Sequence, residues 1–131
     1  MKEVLEYLKA AGTFYLATTE GDQPRVRPFG AVSEFEGKLY IGTNNKKKVF
    51  DQMKKNPRIE ISGMNKGTWI RLEADAVHDG RREAREAMLE DYKTALTKMY
   101  SVDDGIFEVL YLENVTATIY SFTDEPKVIK F

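Results

Sequence analysis

Hydrophobic residues alternate with polar ones over much of the chain, and a period of two predicts strands that bury one face. Seven stretches show this pattern: residues 13–19, 25–33, 38–43, 58–62, 68–78, 106–112 and 114–122. We expect the first three strands to form a meander. We expect the last two to form a hairpin joined at Glu113 and Asn114, followed by a polar tail to Phe131.

Apolar residues at helical spacing predict three helices, at residues 2–11, about 46–55 and 81–99. The first would end at Gly12 and the second at the Asn-Pro pair 56–57, since proline disfavours a helical residue before it. The predicted buried stripes are Val4, Leu5 and Leu8, then Val49, Phe50 and Met53, then Ala84, Met88, Tyr92, Ala95, Leu96 and Met99. Strands with helices outside them predict a mainly β, antiparallel barrel, and a two-sheet sandwich is the alternative.

The composition is that of an ordinary globular chain. Of 131 residues, 42% are hydrophobic and 31% are charged, which fits one domain over residues 1–131. Twenty Lys and Arg nearly balance 21 Asp and Glu, giving a net charge of −1. This balance argues against a general nucleic-acid coat, so basic residues matter here only where they cluster.

The residue types also exclude several kinds of site. Without cysteine there can be no disulfide or thiolate metal site, and one histidine cannot form a multi-histidine site within one chain. We expect no bound metal. Charged residues interrupt the apolar residues of the N-terminal segment, so we expect neither a signal peptide nor a membrane span, and a cytoplasmic location.

A run of three lysines opens the second predicted helix. The stretch YIGTNNKKKVF places Lys46, Lys47 and Lys48 where unpaired N–H groups and the helix dipole already favour negative charge. An anion bound at this helix start would account for the run, with Thr43 and Asn44 as further donors. The alternative is a solvated face, as in most lysine runs.

Two arginines in the strand RVRP strengthen the anion hypothesis. Arg25 and Arg27 are two residues apart, so they face the same side of a strand and repel each other unless an anion lies beside them. A phosphate would satisfy both, because guanidinium groups match its geometry with paired donors. The alternative is that one of them pairs with Glu34, Glu36 or Glu60.

Proline in the same strand suggests where a ring could lie. Pro28 removes a ladder donor and belongs at a sheet edge or irregularity. Phe29 and Gly30 could then offer free backbone groups and close approach to a flat ligand. A phosphate at one end and a planar ring along Pro28 to Gly30 describe a mononucleotide such as FMN.

The segment RVRPFGAVSEFEGKLYIGTNNKKKVFDQMKKNPRIEIS resembles the pyridoxamine 5′-phosphate oxidase-like, FMN-binding split barrels. The resemblance lies in the succession of an Arg-containing strand, an acidic turn, a strand ending in Thr, a Lys-bearing helix start and NPRIEI. It covers roughly residues 13 to 78. It implies an antiparallel split β-barrel, FMN as cofactor, and a homodimer with flavin sites at the subunit interface.

The resemblance also implies the binding residues. Those for the phosphate are Arg27, with Arg25 beside it, Thr43, Lys47 and Lys48. The backbone of Pro28, Phe29 and Gly30 would line the ring. Trp69 lies where family members place a side chain near the flavin, although a strand Trp is equally typical of a barrel rim or dimer contact. The C-terminal TDEPKVIKF lacks the Trp and Arg stretch of the oxidases proper, so oxidation of the vitamin is not expected.

The expected function is a flavin-dependent oxidoreductase acting on a small molecule. The alternatives are a binding or electron-carrying flavoprotein without a dedicated substrate, a haem- or deazaflavin-binding relative, and a nucleic-acid-binding barrel, which the charge balance disfavours. No residue is predicted to be catalytic, since bound flavin would carry the redox chemistry. His78 lies at a turn and is expected to be structural or solvated.

Overall fold

The computed structural model describes residues 1–131, which form eight strands and three α-helices. The strands are β1 (Phe14–Glu20), β2 (Gln23–Phe29), β3 (Val32–Phe35), β4 (Lys38–Asn44), β5 (Arg58–Asn65), β6 (Thr68–Asp79), β7 (Phe107–Tyr120) and β8 (Lys127–Lys130). The helices are α1 (Lys2–Ala11), α2 (Lys48–Lys55) and α3 (Arg82–Asp91), and a 3₁₀ turn covers Leu96–Lys98. None of these helices has the length and apolar character needed to cross a membrane.

All strands belong to one antiparallel sheet with the order β2-β1-β5-β6-β7-β4-β3, and β8 pairs with β7. The two ends of this order, β2 and β3, do not pair with each other, so the sheet curls without closing. The predicted antiparallel split barrel is therefore confirmed, and the two-sheet sandwich is wrong. Both edges of the split come from one predicted strand, residues 25–33.

The predicted three-stranded meander is wrong for this reason. β2 pairs only with β1, β3 pairs only with β4, and the chain leaves the sheet at Gly30 and Ala31. Pro24 and Pro28 lack the N–H that a second neighbour of β2 would need, which confines β2 to an edge. The expectation that Pro28 marks an edge is confirmed.

The predicted C-terminal hairpin is also wrong. Residues 107–120 form one strand, in which Asn114 has a φ of 53° and the register with β6 shifts between Glu73 and Asp75. One residue of positive φ opposite such a shift produces a β-bulge, whereas a tight hairpin turn needs two central residues that reverse the chain. The chain pairs with β7 later instead, as β8, within the tail predicted to be polar.

The helix predictions hold for α1, whose bounds are as expected, and fail in part for the others. α2 starts at Lys48 rather than Lys46, and α3 ends at Asp91 rather than near 99. The Tyr92 hydroxyl donates to the Val32 carbonyl (3.0 Å) and accepts from the Val32 N–H (3.1 Å). These two bonds fix the chain to β3 just after α3. Residues 92–99 form turns, including the short 3₁₀ segment, instead of further α-helix.

The apolar residues form two clusters. The main one fills the barrel and includes the predicted stripe of α2: Val49, Phe50 and Met53 are each at most 4% exposed. Burying such side chains contributes about 1.5–3 kcal/mol each. The second cluster packs α3 against β4 and β7 through Met88, Phe107 and their neighbours. The first cluster thus fixes α2 on the barrel, and the second fixes α3.

A buried polar pair lies at the edge of the second cluster. The Tyr40 hydroxyl, in a side chain only 1% exposed, donates to Asp79 Oδ2 at 2.7 Å, and Arg81 Nη2 binds the same oxygen at 2.9 Å. Burial is the largest cause that raises the pKa of Tyr40 to about 12, and the hydrogen bond to Asp79 is the second. The Arg81 hydrogen bond holds the pKa of Asp79 at about 2. The pair links β4 to the end of β6.

Candidate functional site

A cavity of about 350 Å³ opens where β2 leaves the sheet, facing the end of β4 and the start of α2. This volume lies at the lower end of the range of about 300–1,000 Å³ usual for small-molecule sites. Six of the nine residues predicted to bind the cofactor line it: Arg27, Pro28, Phe29, Gly30, Thr43 and Lys47. We call it the β2–β4 pocket. The structure thus brings together residues up to 20 positions apart in sequence.

Arg27 lines the β2–β4 pocket, and no carboxylate neutralises its charge. Its Nη1 donates to Thr18 Oγ1 (2.8 Å) and to the carbonyl of Leu16 (3.3 Å), and its Nη2 donates to Gln52 Oε1 (2.7 Å). Burial, followed by the nearby Arg25 charge, lowers the pKa of Arg27, and the guanidinium stays protonated. Its positive charge is therefore held in place by neutral acceptors alone.

The bonds of Arg27 leave part of its guanidinium free. A guanidinium carries five N–H donors, and three are used, so the Nε–H and one Nη2–H have no acceptor in the protein. No buried side-chain nitrogen or oxygen lacks a partner, which means that the Nε of Arg27 is accessible. Two free donors on one guanidinium suit a bidentate anion such as a phosphate.

Arg25 has a different environment although it shares a strand face with Arg27. Its Nη2 and Nε bind Glu20 Oε1 at 3.0 and 3.3 Å, and the same pair lowers the pKa of Glu20. Glu36 and Glu60, two of the acids considered as partners, bind Arg81 and Arg71 instead. Arg25 is thus neutralised across the β1–β2 turn and does not line the β2–β4 pocket.

The three lysines separate into different environments. Lys47 is the N-cap of α2, lines the β2–β4 pocket and forms no ion pair. Lys48, the first helical residue, lines a neighbouring polar cleft that also contains Glu20 and Asp51. Lys46 is exposed, and its backbone N–H binds Asn44 Oδ1. Of the three lysines, only Lys47 lines the pocket.

Thr43 supplies a further free donor. It is 6% exposed at the end of β4, and its hydroxyl has no hydrogen bond within the protein. Since no buried polar side-chain atom is unsatisfied, this hydroxyl also lies on the accessible side. Arg27, Thr43 and Lys47 therefore present unpaired donors to one pocket.

Trp69 and His78 lie elsewhere. Trp69 stacks on Tyr120, with ring centroids 5.5 Å apart and planes 13° apart, and contacts Phe122. The Nε2 of His78 lies 2.9 Å from Glu108 Oε1, and its ring packs edge-on against Phe50. Neither residue lines the β2–β4 pocket of its own chain. No cluster of three or more His, Asp or Glu side chains is arranged to hold a metal ion.

One wall of the pocket was not predicted. It comes from the segment after α3 and comprises Tyr92, Ala95, Leu96, Met99 and Tyr100. Asn44 Nδ2 donates to the Tyr100 hydroxyl at 2.6 Å, and the Tyr100 ring packs on Phe107. From the sequence, all of these residues except Tyr100 were predicted to lie on the buried stripe of a longer helix. The apolar spacing was recognised. Because α3 ends at Asp91, however, these residues line the pocket instead of continuing the helix.

The geometry defines a class of site. The lining combines the cationic and hydroxyl side chains of Arg27, Lys47 and Thr43 with apolar and aromatic ones, and it contains no carboxylate. A larger groove of about 730 Å³ between α3 and residues 93–102 has no arginine and carries Glu83, Glu86 and Glu90. The β2–β4 pocket, rather than the larger groove, therefore fits a flat ligand that carries an anionic group.

Comparison with known proteins shows the family of the chain. A family model described as pyridoxamine 5′-phosphate oxidase matches residues 1–118. The chain belongs to the pyridoxamine 5′-phosphate oxidase family. None of the curated proteins compared with the chain matches it.

Solved structures show the same fold. A NimC/NimA family protein from Clostridium acetobutylicum is 58% identical, with a TM-score of 0.97, over 100% of this chain and 92% of that one. An FAD-binding protein from Mesorhizobium loti is 18% identical, with a TM-score of 0.63, over 92% and 94% of the two chains. A heme binding protein from Mycobacterium smegmatis is 18% identical, with a TM-score of 0.72, over 96% of this chain and 57% of that one.

Proposed function

We propose that this protein binds FMN in the β2–β4 pocket and acts as a flavin-dependent oxidoreductase on a small molecule. The observation that carries the proposal is the set of unpaired donors on Arg27, Thr43 and Lys47 in the lining of a largely apolar pocket that contains no carboxylate. The phosphate would bind there, and the ring would lie along the backbone of Pro28, Phe29 and Gly30. FMN would supply the hydride or electron transfer that no side chain of this chain can perform.

The residues of the pocket would bind and orient the cofactor. Arg27 would grip the phosphate with two donors, Lys47 would add a point charge, and Thr43 a hydroxyl. Gly30 lies where the backbone leaves the sheet, so its free groups are available to a ring edge. The apolar wall of Leu96, Met99 and their neighbours would exclude water from one side. With no carboxylate in the lining, a neutral or anionic substrate is favoured over a cation.

Lys48, Arg25 and Trp69 have less support as binding residues. Lys48 and Arg25 lie close to Glu20, outside the pocket. Trp69 would reach a flavin only from a neighbouring subunit. A homodimer with shared flavin sites, as the resemblance implies, is supported by apolar side chains on the outer sheet face, where Val26 is 68% and Met64 70% exposed. Light scattering of the purified protein at several concentrations would test the dimer, and a monomer throughout would refute it.

The test of FMN binding begins with the visible spectrum of the purified protein. FMN, FAD and riboflavin are then titrated into protein freed of ligand, with flavin fluorescence as the readout. We expect FMN to bind much more tightly than riboflavin, which has the same ring without the phosphate. Failure to bind any of the three would refute the proposal, and equal affinity for FMN and riboflavin would refute the phosphate assignment.

The alternatives give different results in the same preparation. Turnover of an acceptor with a nicotinamide reductant supports the oxidoreductase. Bound flavin without turnover under any reductant supports a binding or electron-carrying protein. A Soret band would favour the haem alternative, for which His78 is poorly placed, since it binds Glu108 outside the pocket.

A further inference from the structure

We propose that Gln52 is the positioning residue that makes the β2–β4 pocket selective for a phosphate-bearing ligand, because it holds the Arg27 guanidinium without neutralising it. This inference rests on the proposed function and deepens it. It concerns a residue on α2 that does not line the pocket and that no sequence motif singled out.

The contacts of Gln52 are those of a buried anchor. The side chain is 6% exposed, and its Oε1 accepts from Thr18 Oγ1 at 2.6 Å and from Arg27 Nη2 at 2.7 Å. Thr18, which is 2% exposed, also accepts from Arg27 Nη1 at 2.8 Å. The amide orientation is determined by these contacts, because Nε2 in place of Oε1 would oppose one donor to another. Arg27 is thus held from α2 and β1 at once.

The side-chain acceptors of Arg27, on Thr18 and Gln52, are both uncharged, although a carboxylate would fit at position 52. Glutamate at position 52 would make the same two hydrogen bonds, with the same number of heavy atoms in the side chain. It would also pair with Arg27 and reduce its attraction for an anion. Glu20, the nearest acid, lies on the other side of the amide, 3.5 Å from Gln52 Nε2, and is engaged by Arg25. Gln52 therefore lies between the carboxylate of Glu20 and the guanidinium of Arg27.

The consequence concerns the ligand class. A positioned guanidinium with two free donors and its full charge attracts a phosphate, while a neutral flavin gains nothing from that charge. Gln52 should therefore affect the affinity for FMN and leave that for riboflavin unchanged. A residue that merely maintained the fold would affect both.

The experiment compares Gln52→Glu with the control Gln52→Met, which retains the chain length but offers no oxygen. Dissociation constants for FMN and riboflavin are measured at pH 8, so that the new carboxyl is ionised, and urea unfolding checks that each variant is folded. We expect Gln52→Glu to lose at least about tenfold of the preference for FMN over riboflavin, with riboflavin affinity unchanged. Gln52→Met, which keeps the Arg27 charge, should lose less.

Two results would overturn the inference while leaving the proposed function intact. One is a Gln52→Glu variant that keeps the wild-type preference. The other is a fall in riboflavin affinity as large as the fall in FMN affinity, which would reduce Gln52 to a packing role.

If the wild-type protein binds no flavin, the proposed function fails. The inference about Gln52 is then tested with inorganic pyrophosphate as the anionic ligand and urea unfolding as the readout. Raising its concentration should stabilise the wild-type protein against urea and should not stabilise Gln52→Glu. Equal stabilisation of the two, or none of either, would overturn the inference.

Discussion

Replacement of Arg27 by glutamine offers the sharpest test of the phosphate site, because the chain contains a matched control. Arg25 lies two residues earlier on the same strand face, and the same substitution there removes the same charge from nearly the same position. The two arginines differ in their partners: Arg25 is bound to Glu20, and Arg27 has only neutral acceptors and two free donors. A difference between the variants therefore reports the free donors of Arg27 and its place in the pocket, both of which Arg25 lacks.

The magnitude follows from the free donors. A hydrogen bond to a charged group contributes about 1.5–3 kcal/mol, so loss of two such bonds to a phosphate costs about 3 kcal/mol or more. This corresponds to roughly a hundredfold weaker binding of FMN. Arg25 lies outside the pocket and already has a carboxylate partner, so for Arg25→Gln we expect less than about a fivefold change in FMN affinity.

The assay is fluorescence titration of each variant with FMN and riboflavin, alongside urea unfolding. Arg27→Gln also loses its bonds to Leu16 and Thr18, so its free energy of unfolding should fall by about 1–3 kcal/mol, and it should remain folded. Riboflavin affinity should not change in either variant. The reasoning is refuted if Arg27→Gln weakens FMN and riboflavin equally, or if the two arginine variants behave alike.

Four further predictions concern other residues. Lys47→Gln should weaken FMN binding by several-fold and Lys48→Gln by less, because only Lys47 lines the pocket; equal effects in the same titration would contradict this placement. Tyr92→Phe should lose about 1–2 kcal/mol of stability in urea, since it removes both bonds to the β3 backbone, and an unchanged unfolding midpoint would show that these bonds contribute nothing. The stabilising contribution of Asp79, whose pKa is lowered to about 2, should be complete above about pH 4 and disappear as pH falls through 2. The contribution of Tyr40, whose pKa is raised to about 12, should be complete below about pH 10 and disappear as pH rises through 12; urea midpoints should show Tyr40→Phe losing this alkaline step, and an identical alkaline decline in that variant would count against it.

The local elements could be predicted well from the sequence. The alternation of β1, β4, β5 and β6 and the apolar stripes of α1 and α2 depend on residues close in sequence, and the structure retains them. The proline rule also predicted correctly that Pro28 belongs to an edge. The errors are those of long-range pairing: whether residues 25–33 make one strand or two depends on which strands lie beside them.

The same distinction explains the errors near the C-terminus. A bulge and a turn at Asn114 look alike in the sequence, and only the pairing of β7 with β6 on both sides of that point shows that the strand continues. The end of α3 likewise depends on the bonds between Tyr92 and Val32, which are 60 positions apart. Apolar spacing continues beyond Tyr92, so the periodicity alone predicts a helix that the tertiary contacts end.

For the site, the sequence by itself determined that cations and a Thr cluster near a predicted helix start and a proline-bearing strand. It could not tell Arg25 from Arg27, because both have the same spacing, side chain and strand face. The tertiary structure decided between them: the β1–β2 turn brings Glu20 to Arg25, while α2 brings the uncharged Gln52 to Arg27. A charge is available to a ligand only if the fold leaves it without a counter-ion, and that depends on residues distant in sequence.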